Sequence, residues 1–197
     1  GGAGYSGWYG YDGVGGPGGN GQGGFGAGNG AAGYSGSGGS PGSGGLGGGG
    51  AGMGGAVFNR GGNVSVTNST FSGNATSGGS GATSGQGLGG AIFGWNGTLN
   101  VLNSTITSNT GGGVYCFSIG SNYHSETFAD LVNCILWNPG NEVTLDGQYS
   151  TATISYSCVE GGYTGTGNID SDPLFVDAVK GDYHLQDLSP CIDKGIG

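Results

Sequence analysis

The chain is short of charge, and of positive charge most of all. Asp, Glu, Lys and Arg make up 8% of its 197 residues, and the cations number three, Arg60, Lys180 and Lys194; a globular surface ordinarily carries roughly 25% charge. With a formal net charge of -9 it lacks the basic patches that bind phosphate backbones or anionic lipid, so nucleic acid is excluded as a partner. No apolar run reaches about 18 residues, so no membrane span is expected. Helical periodicity is missing throughout. The four cysteines, Cys116, Cys134, Cys158 and Cys191, form no CxxC pair and no Cys/His metal spacing. One or two disulfides in an oxidising compartment are therefore expected, with buried free thiols as the alternative. An initiator Met and a basic-plus-apolar leader are also missing. Gly1 is accordingly read as the start of a processed, exported chain with an extracellular destination.

What the chain has in excess is glycine, unevenly spread. Residues 1–55 hold 30 of the 55 glycines and one charged residue, Asp12, whereas eleven of the twelve acidic residues fall between Glu126 and Asp193. The character changes near Gly55, which suggests a glycine-rich, aromatic-containing arm over 1–51 and a second domain over 52–197. An isolated glycine segment would be a flexible linker. The aromatics Tyr5, Trp8, Tyr9, Tyr11, Phe25 and Tyr34 are too many for a spacer and mark the arm as an assembly element. Without Cβ atoms to keep backbones apart, such segments can pack side by side as extended, three-residue-per-turn strands.

The second domain opens on a block that occurs twice, Gly52–Asn74 and Gly87–Asn109, 35 residues apart. Val64 and Val66 alternate with polar residues, as do their counterparts Leu99 and Val101, which is the period of a short strand with one face buried. Asn68-Ser-Thr and Asn103-Ser-Thr follow, then Phe71 and Ile106, then Asn74 and Asn109. Looser copies continue: Leu131-Val-Asn-Cys-Ile-Leu-Trp-Asn138 resembles Leu102–Asn109, and Ser157-Cys158 stands 24 residues after Asn133-Cys134. Such self-similarity marks a stacked repeat. The fold expected is all-β, a right-handed parallel β-helix of about five to six rungs with a turn-rich C-terminal cap. On the 24-residue spacing, Cys134 and Cys158 lie one rung apart and within disulfide reach, although four cysteines allow three pairings.

Gly54-Gly-Ala-Val57 with Phe71-Ser-Gly-Asn74, and Gly89-Gly-Ala-Ile92 with Ile106-Thr-Ser-Asn109, resemble the paired GGA(I/L/V) and FxxN repeats of polymorphic outer-membrane proteins and related bacterial right-handed β-helix proteins. The tail from Val159 to Gly195 looks like the end of the β-helix in secreted choice-of-anchor proteins. The resemblance implies the fold over 52–197. It carries no catalytic residue, since the matching motifs are structural and such β-helices serve as adhesins, stalks and carbohydrate-active enzymes alike.

Candidate chemistry is sparse. Asp170, Asp172, Asp177 and Asp182 could bind Ca²⁺ through carboxylate and backbone oxygens, but Asp beside Pro or Gly is ordinary turn chemistry. Glu126, Asp130, Glu142 and Asp146 are the carboxylates available to a glycosidase, without a signature around them. His124 and His184 stand alone, so no catalytic residue and no cofactor are assigned. Asn68, Asn103 and Asn133 recur at equivalent rung positions and are expected to stack as an inward amide ladder; Asn68 and Asn103 also begin two of five glycosylation sequons, the others at Asn63, Asn74 and Asn96. A short β-helix leaves strand edges open at its ends. The expected function is thus an extracellular structural subunit, not an enzyme, that polymerises with itself head to tail; the alternative is a surface adhesin or glycan-binding module.

Overall fold

The computed structural model describes residues 22–32, 45–120 and 126–197. The chain divides into two compact units, one of residues 1–52 and 77–88 and the other of 53–76 and 89–197. Of the described residues, only Ala178–Lys180 are helical, in a single 3-10 turn.

The larger unit is a coil of short strands. Each turn contributes one strand to each of three sheets, and every strand pairs in parallel with its counterpart one turn away. Sheet I contains Val57–Arg60, Ile92–Trp95, Val114–Phe117 and Val143–Asp146. Sheet II contains Asn63–Thr67, Thr98–Leu102, Thr127–Val132 and Ser150–Ser155, and sheet III contains Thr70–Ser72, Thr105–Thr107, Ile135–Trp137 and Cys158–Val159. The stacked parallel sheets have the character of a β-helix. Among the described residues four complete turns are present rather than five or six, followed by one isolated parallel bridge, Cys158 to Ile169. The remaining chain forms an antiparallel hairpin, Phe175–Asp177 with Asp182–Leu185, because Asp177 and Gly181 close a 3-10 turn between its strands.

Alternation sets which side chains enter the coil. In sheet II, Val64, Leu99, Ala129 and Ala152 form one inward column and Val66, Val101, Leu131 and Ile154 the next. In sheet I, Ala56-Val-Phe58 and Ala91-Ile-Phe93 are apolar at three consecutive positions, so alternation alone does not say which face is inward. Val57, Ile92, Val114 and Val143 share a column that packs in the central cluster, whereas Phe58, Phe93 and Tyr115 occupy the next column and stack at 5.5 and 5.4 Å, with Phe93 itself fully buried. The recurrent Asn68, Asn103 and Asn133 have φ of 51°, 51° and 54°, the left-handed corner between sheets II and III that Asn tolerates better than most residues. The expected inward ladder is therefore corrected at these positions. Asn68 and Asn103 are exposed and Asn133 is half-buried, although Asn133 Nδ2 does donate to Asn103 Oδ1 at 3.0 Å on the outside.

In the described residues of the smaller unit, glycine-rich segments run alongside one another with hydrogen bonds that advance by three residues. Ala31 N–H donates to Leu46 O and Gly28 N–H to Gly49 O; Gly49 N–H donates to Thr83 O and Gly52 N–H to Gln86 O; Gly79 N–H donates to Gly50 O and Ala82 N–H to Gly47 O. A β ladder repeats every two residues, whereas a polyproline-II helix repeats every three. The backbones lie too close for side chains: a Cβ on Gly49 would sit 1.7 Å from Gly79 O, and one on Gly85 2.0 Å from Gly50 O.

Candidate functional site

Two features of the coil bear on function, an internal amide ladder and an unfinished first turn. The ladder is built from Asn74, Asn109 and Asn138, at the corner leaving sheet III. Asn74 Nδ2 donates to Asn109 Oδ1 and Asn109 Nδ2 to Asn138 Oδ1, both at 2.9 Å, and Asn138 Nδ2 donates to Glu142 Oε2. The backbone N–H of each asparagine bonds the same acceptor residue as its amide does. Asn109 and Asn138 are sealed, and Asn109 also donates to Phe71 O and Thr107 O. The signal was present in the sequence, as the Asn that closes each FxxN-like repeat. The eight-residue copies Leu102–Asn109 and Leu131–Asn138 both end on it, although the strand register pairs Trp137 with Thr107, so this corner is one residue shorter in the third turn.

Glu142 ends the ladder as a nearly fully buried carboxylate. Burial pushes its pKa up to about 7, and the neighbouring Glu160 adds to the shift, while the donors from Asn138 pull it down. Glu142 is thus committed to the ladder. Of the other carboxylates considered for glycoside hydrolysis, Asp130 accepts from Thr153 Oγ1 and Asp146 from the Tyr115 hydroxyl at 2.7 Å, while Glu126 is exposed.

The first turn is unfinished in its core and along its edges. Its inward residues Val57, Val64, Val66 and Phe71 are only half-buried. Their register partners one turn on, Ile92, Leu99, Val101 and Ile106, are at most 3% exposed. Among the described residues, the first-turn strand is at the end of the order in all three sheets, paired on one side only. The last turn differs. Ile169 N–H donates to Ser157 O, Val159 N–H to Ile169 O and Tyr156 N–H to Thr166 O, while Asn168 Nδ2 donates to Ile154 O. Tyr163 packs on the core beside them. This segment caps sheet III and the adjoining end of sheet II, whereas Val143–Asp146 remains a terminal strand of sheet I.

The other residues expected to matter fall as follows. Phe25 lies half-buried in a turn closed by Ala27 N–H to Gly24 O, whereas Tyr5, Trp8, Tyr9, Tyr11, Tyr34 and His124 lie outside the described residues. The four aspartates do not gather: Asp170 accepts from Gly161 N–H nine residues back, whereas Asp172 accepts from Leu174 N–H, Asp177 from Lys180 and Asp182 from His184, each two or three residues on. Among the described residues no group of three or more His, Cys, Asp or Glu could hold a metal ion, which corrects the calcium candidate. All four cysteines are free thiols. The register also revises their pairing, because Ile135, not Cys134, lies over Cys158, and Cys134 N–H bonds Ser157 Oγ. The offset there is 23 residues rather than 24, so neighbouring positions that face different ways were superposed. No helix among the described residues is long and apolar enough to cross a membrane. No family model, no curated protein and no solved structure matches the chain.

Proposed function

We propose that the protein is an extracellular structural subunit, a short right-handed parallel β-helix that polymerises head to tail. The handedness rests on the general preference of parallel crossovers for the right hand and on the resemblance of the GGA and FxxN repeats to right-handed β-helix proteins. The observation that carries assembly is the unfinished first turn: half-exposed valines and a phenylalanine on three strands that, among the described residues, are each paired on one side only. Such an edge is a template for another chain. The natural occupant is the part of a second copy's last turn that the 163–169 segment leaves uncapped, the sheet I strand Val143–Asp146, with the glycine-rich arm contributing to the same contact.

Extending the sheet register across copies gives the contact a chemical form. In sheet I, Arg60, Trp95, Phe117 and Asp146 share one column. Stacking the first turn of one copy on the last turn of another would set Arg60 beside Asp146, and Val57 and Val64 over Val143 and Ala152. Arg60 is the only cation in the first turn and lies over Trp95 at 4.9 Å. Opposite charges facing each other favour the head-to-tail register, and like charges oppose it.

The test is copolymerisation. Arg60→Asp or Asp146→Arg alone places like charges across every contact, so each variant stays monomeric by light scattering and negative-stain imaging. Mixing the two restores opposite charges at every junction and regenerates filaments. Wild-type protein that remains monomeric at high concentration would overturn the proposal, as would variants that assemble as well alone as together. A second reading, a glycan-binding module, is favoured by one cavity of ≈ 600 Å³ lined by Thr70, Ser72 and Thr105 of sheet III and by Asp182, Tyr183 and His184 of the hairpin. Its hydroxyls and aromatic ring suit a neutral sugar, and a glycan array with Tyr183→Ala as control would test it.

A further inference from the structure

We propose that Cys158 and Cys191 form an intrachain disulfide that fastens the C-terminal tail to the last turn of the coil. The two thiols arrive from separate segments that both reach residues 171–173. Cys158, 4% exposed on the last strand of sheet III, directs its Sγ toward Ser171 O at 3.0 Å. Cys191 N–H bonds Ser189 Oγ, and that hydroxyl donates to Pro173 O at 2.6 Å. Both segments thus converge on 171–173. Both cysteines line one cavity of ≈ 270 Å³ together with Ile169, Lys194 and Cys134.

The remaining cysteines are spoken for. Cys116 is sealed in the hydrophobic core. Cys134 turns its Sγ inward to Val132 O and Val101 O, at 3.2 and 3.5 Å. Of the facing pair, Cys191 is the nucleophile, since the hydrogen bond with Cys158 and a second from Ser189 lower its pKa, whereas the Cys158 thiol is raised. The thiolate is the reactive form.

The oxidant belongs to the small-molecule disulfide class, oxidised glutathione being the simplest. The Cys191 thiolate attacks one sulfur of the oxidant, breaks its S–S bond and releases one glutathione thiolate, leaving a mixed disulfide on Cys191. Cys158 passes its proton to the released thiolate, attacks the Cys191 sulfur and expels the second glutathione. Two protein thiols are oxidised and one glutathione disulfide is reduced to two thiols. The product closes a loop over residues 158–191 and limits the freedom of the unfolded chain.

The experiment treats purified full-length protein with oxidised glutathione and maps it by mass spectrometry without reduction. The intact mass is expected to fall by two hydrogens, with one linked peptide pair containing Cys158 and Cys191, while Cys116 and Cys134 alkylate after denaturation. The oxidised form should melt above the reduced form by on the order of 5–10 °C. Cys191→Ser should abolish the mass change and leave Cys158 open to alkylation. Quantitative alkylation of all four cysteines after oxidation would overturn the proposal, as would linkage through Cys116 or Cys134 or a link between copies. Because the oxidised and reduced forms share one sequence, the result does not depend on any variant folding, nor on whether the protein forms filaments.

Discussion

Asn109 shows how much a single side chain does in a coil with few charges. Its amide accepts from two groups of Asn74 and donates to Phe71 O, Thr107 O and Asn138 Oδ1. Asn109→Ala strips partners from several of these at once, and each buried polar group left unpaired costs about 1–3 kcal/mol. Chemical denaturation should show a loss of at least about 3 kcal/mol. At the exposed corner Asn68→Ala acts on a left-handed residue instead and should cost about 1 kcal/mol. Glu142 adds a pH dependence with a definite sign. Its folded pKa is about 7 against an ordinary 4.5, so between those values the folded state binds more protons than the unfolded. Its protonated form is fully accommodated below pH 4.5. Stability then falls as pH rises toward 7, by about 3 kcal/mol in all. Glu142→Gln should remove that fall, which appears as the difference between wild-type and variant stability curves measured from about pH 4 to 8; parallel curves would contradict the assignment. The sequence marked Asn74 and Asn109 as recurrent, but it offered Asn68 and Asn103 on equal terms. Spacing does not reveal which of two recurrent asparagines turns inward; the corner φ does.

Among elements, the glycine-rich strands and the sheet strands obey different rules. Sheet strands tolerate side chains on both faces because neighbouring backbones are spaced for them. The glycine segments have no such space, and their sequence makes the point testable at adjacent positions. Gly49 faces Gly79 O, where a Cβ would lie at 1.7 Å, whereas a Cβ on Gly50 would meet nothing within 4 Å. Gly49→Ala should loosen the smaller unit, read as faster hydrogen exchange across 77–88, while Gly50→Ala should change stability by less than about 1 kcal/mol. Equal exchange in the two variants would contradict the close packing. The period-two pattern makes the sheet II strands legible in the sequence, Val64 and Val66 above all. The segment 77–88 is not legible in the same way. Its Gly/Ser composition reads as a loop inserted in the first turn, yet Gly49 N–H to Thr83 O and Gly79 N–H to Gly50 O tie it to residues far back in the chain. Glycine carries no side-chain pattern from which a partner could be inferred.

For the molecule as a whole, the decisive property is the inequality of the coil's two ends. A repeat of this kind can add turns indefinitely unless its ends are closed. Here Tyr163, Asn168 and Ile169 close much of one end, while Val57, Val64, Val66 and Phe71 leave the other half-exposed. Covering that open layer should stabilise the coil. Val66→Glu, aimed into the layer, should prevent sedimentation of any assembled species, whereas Ser65→Glu on the outer face of the same strand should not. By itself the sequence determined that the chain is all-β and repetitive, that its first 51 residues are a different material, and which residues alternate into the sheets. These follow from composition and from periods of two and about thirty residues, which are local in origin. Only the tertiary structure decided the number of complete turns, the 23-residue register that removes Cys134 from Cys158, the inward choice among the asparagines and the meeting of Cys158 with Cys191. Each of these depends on how many residues a corner absorbs, and a corner that gains or loses one residue shifts every later contact while leaving the local pattern unchanged.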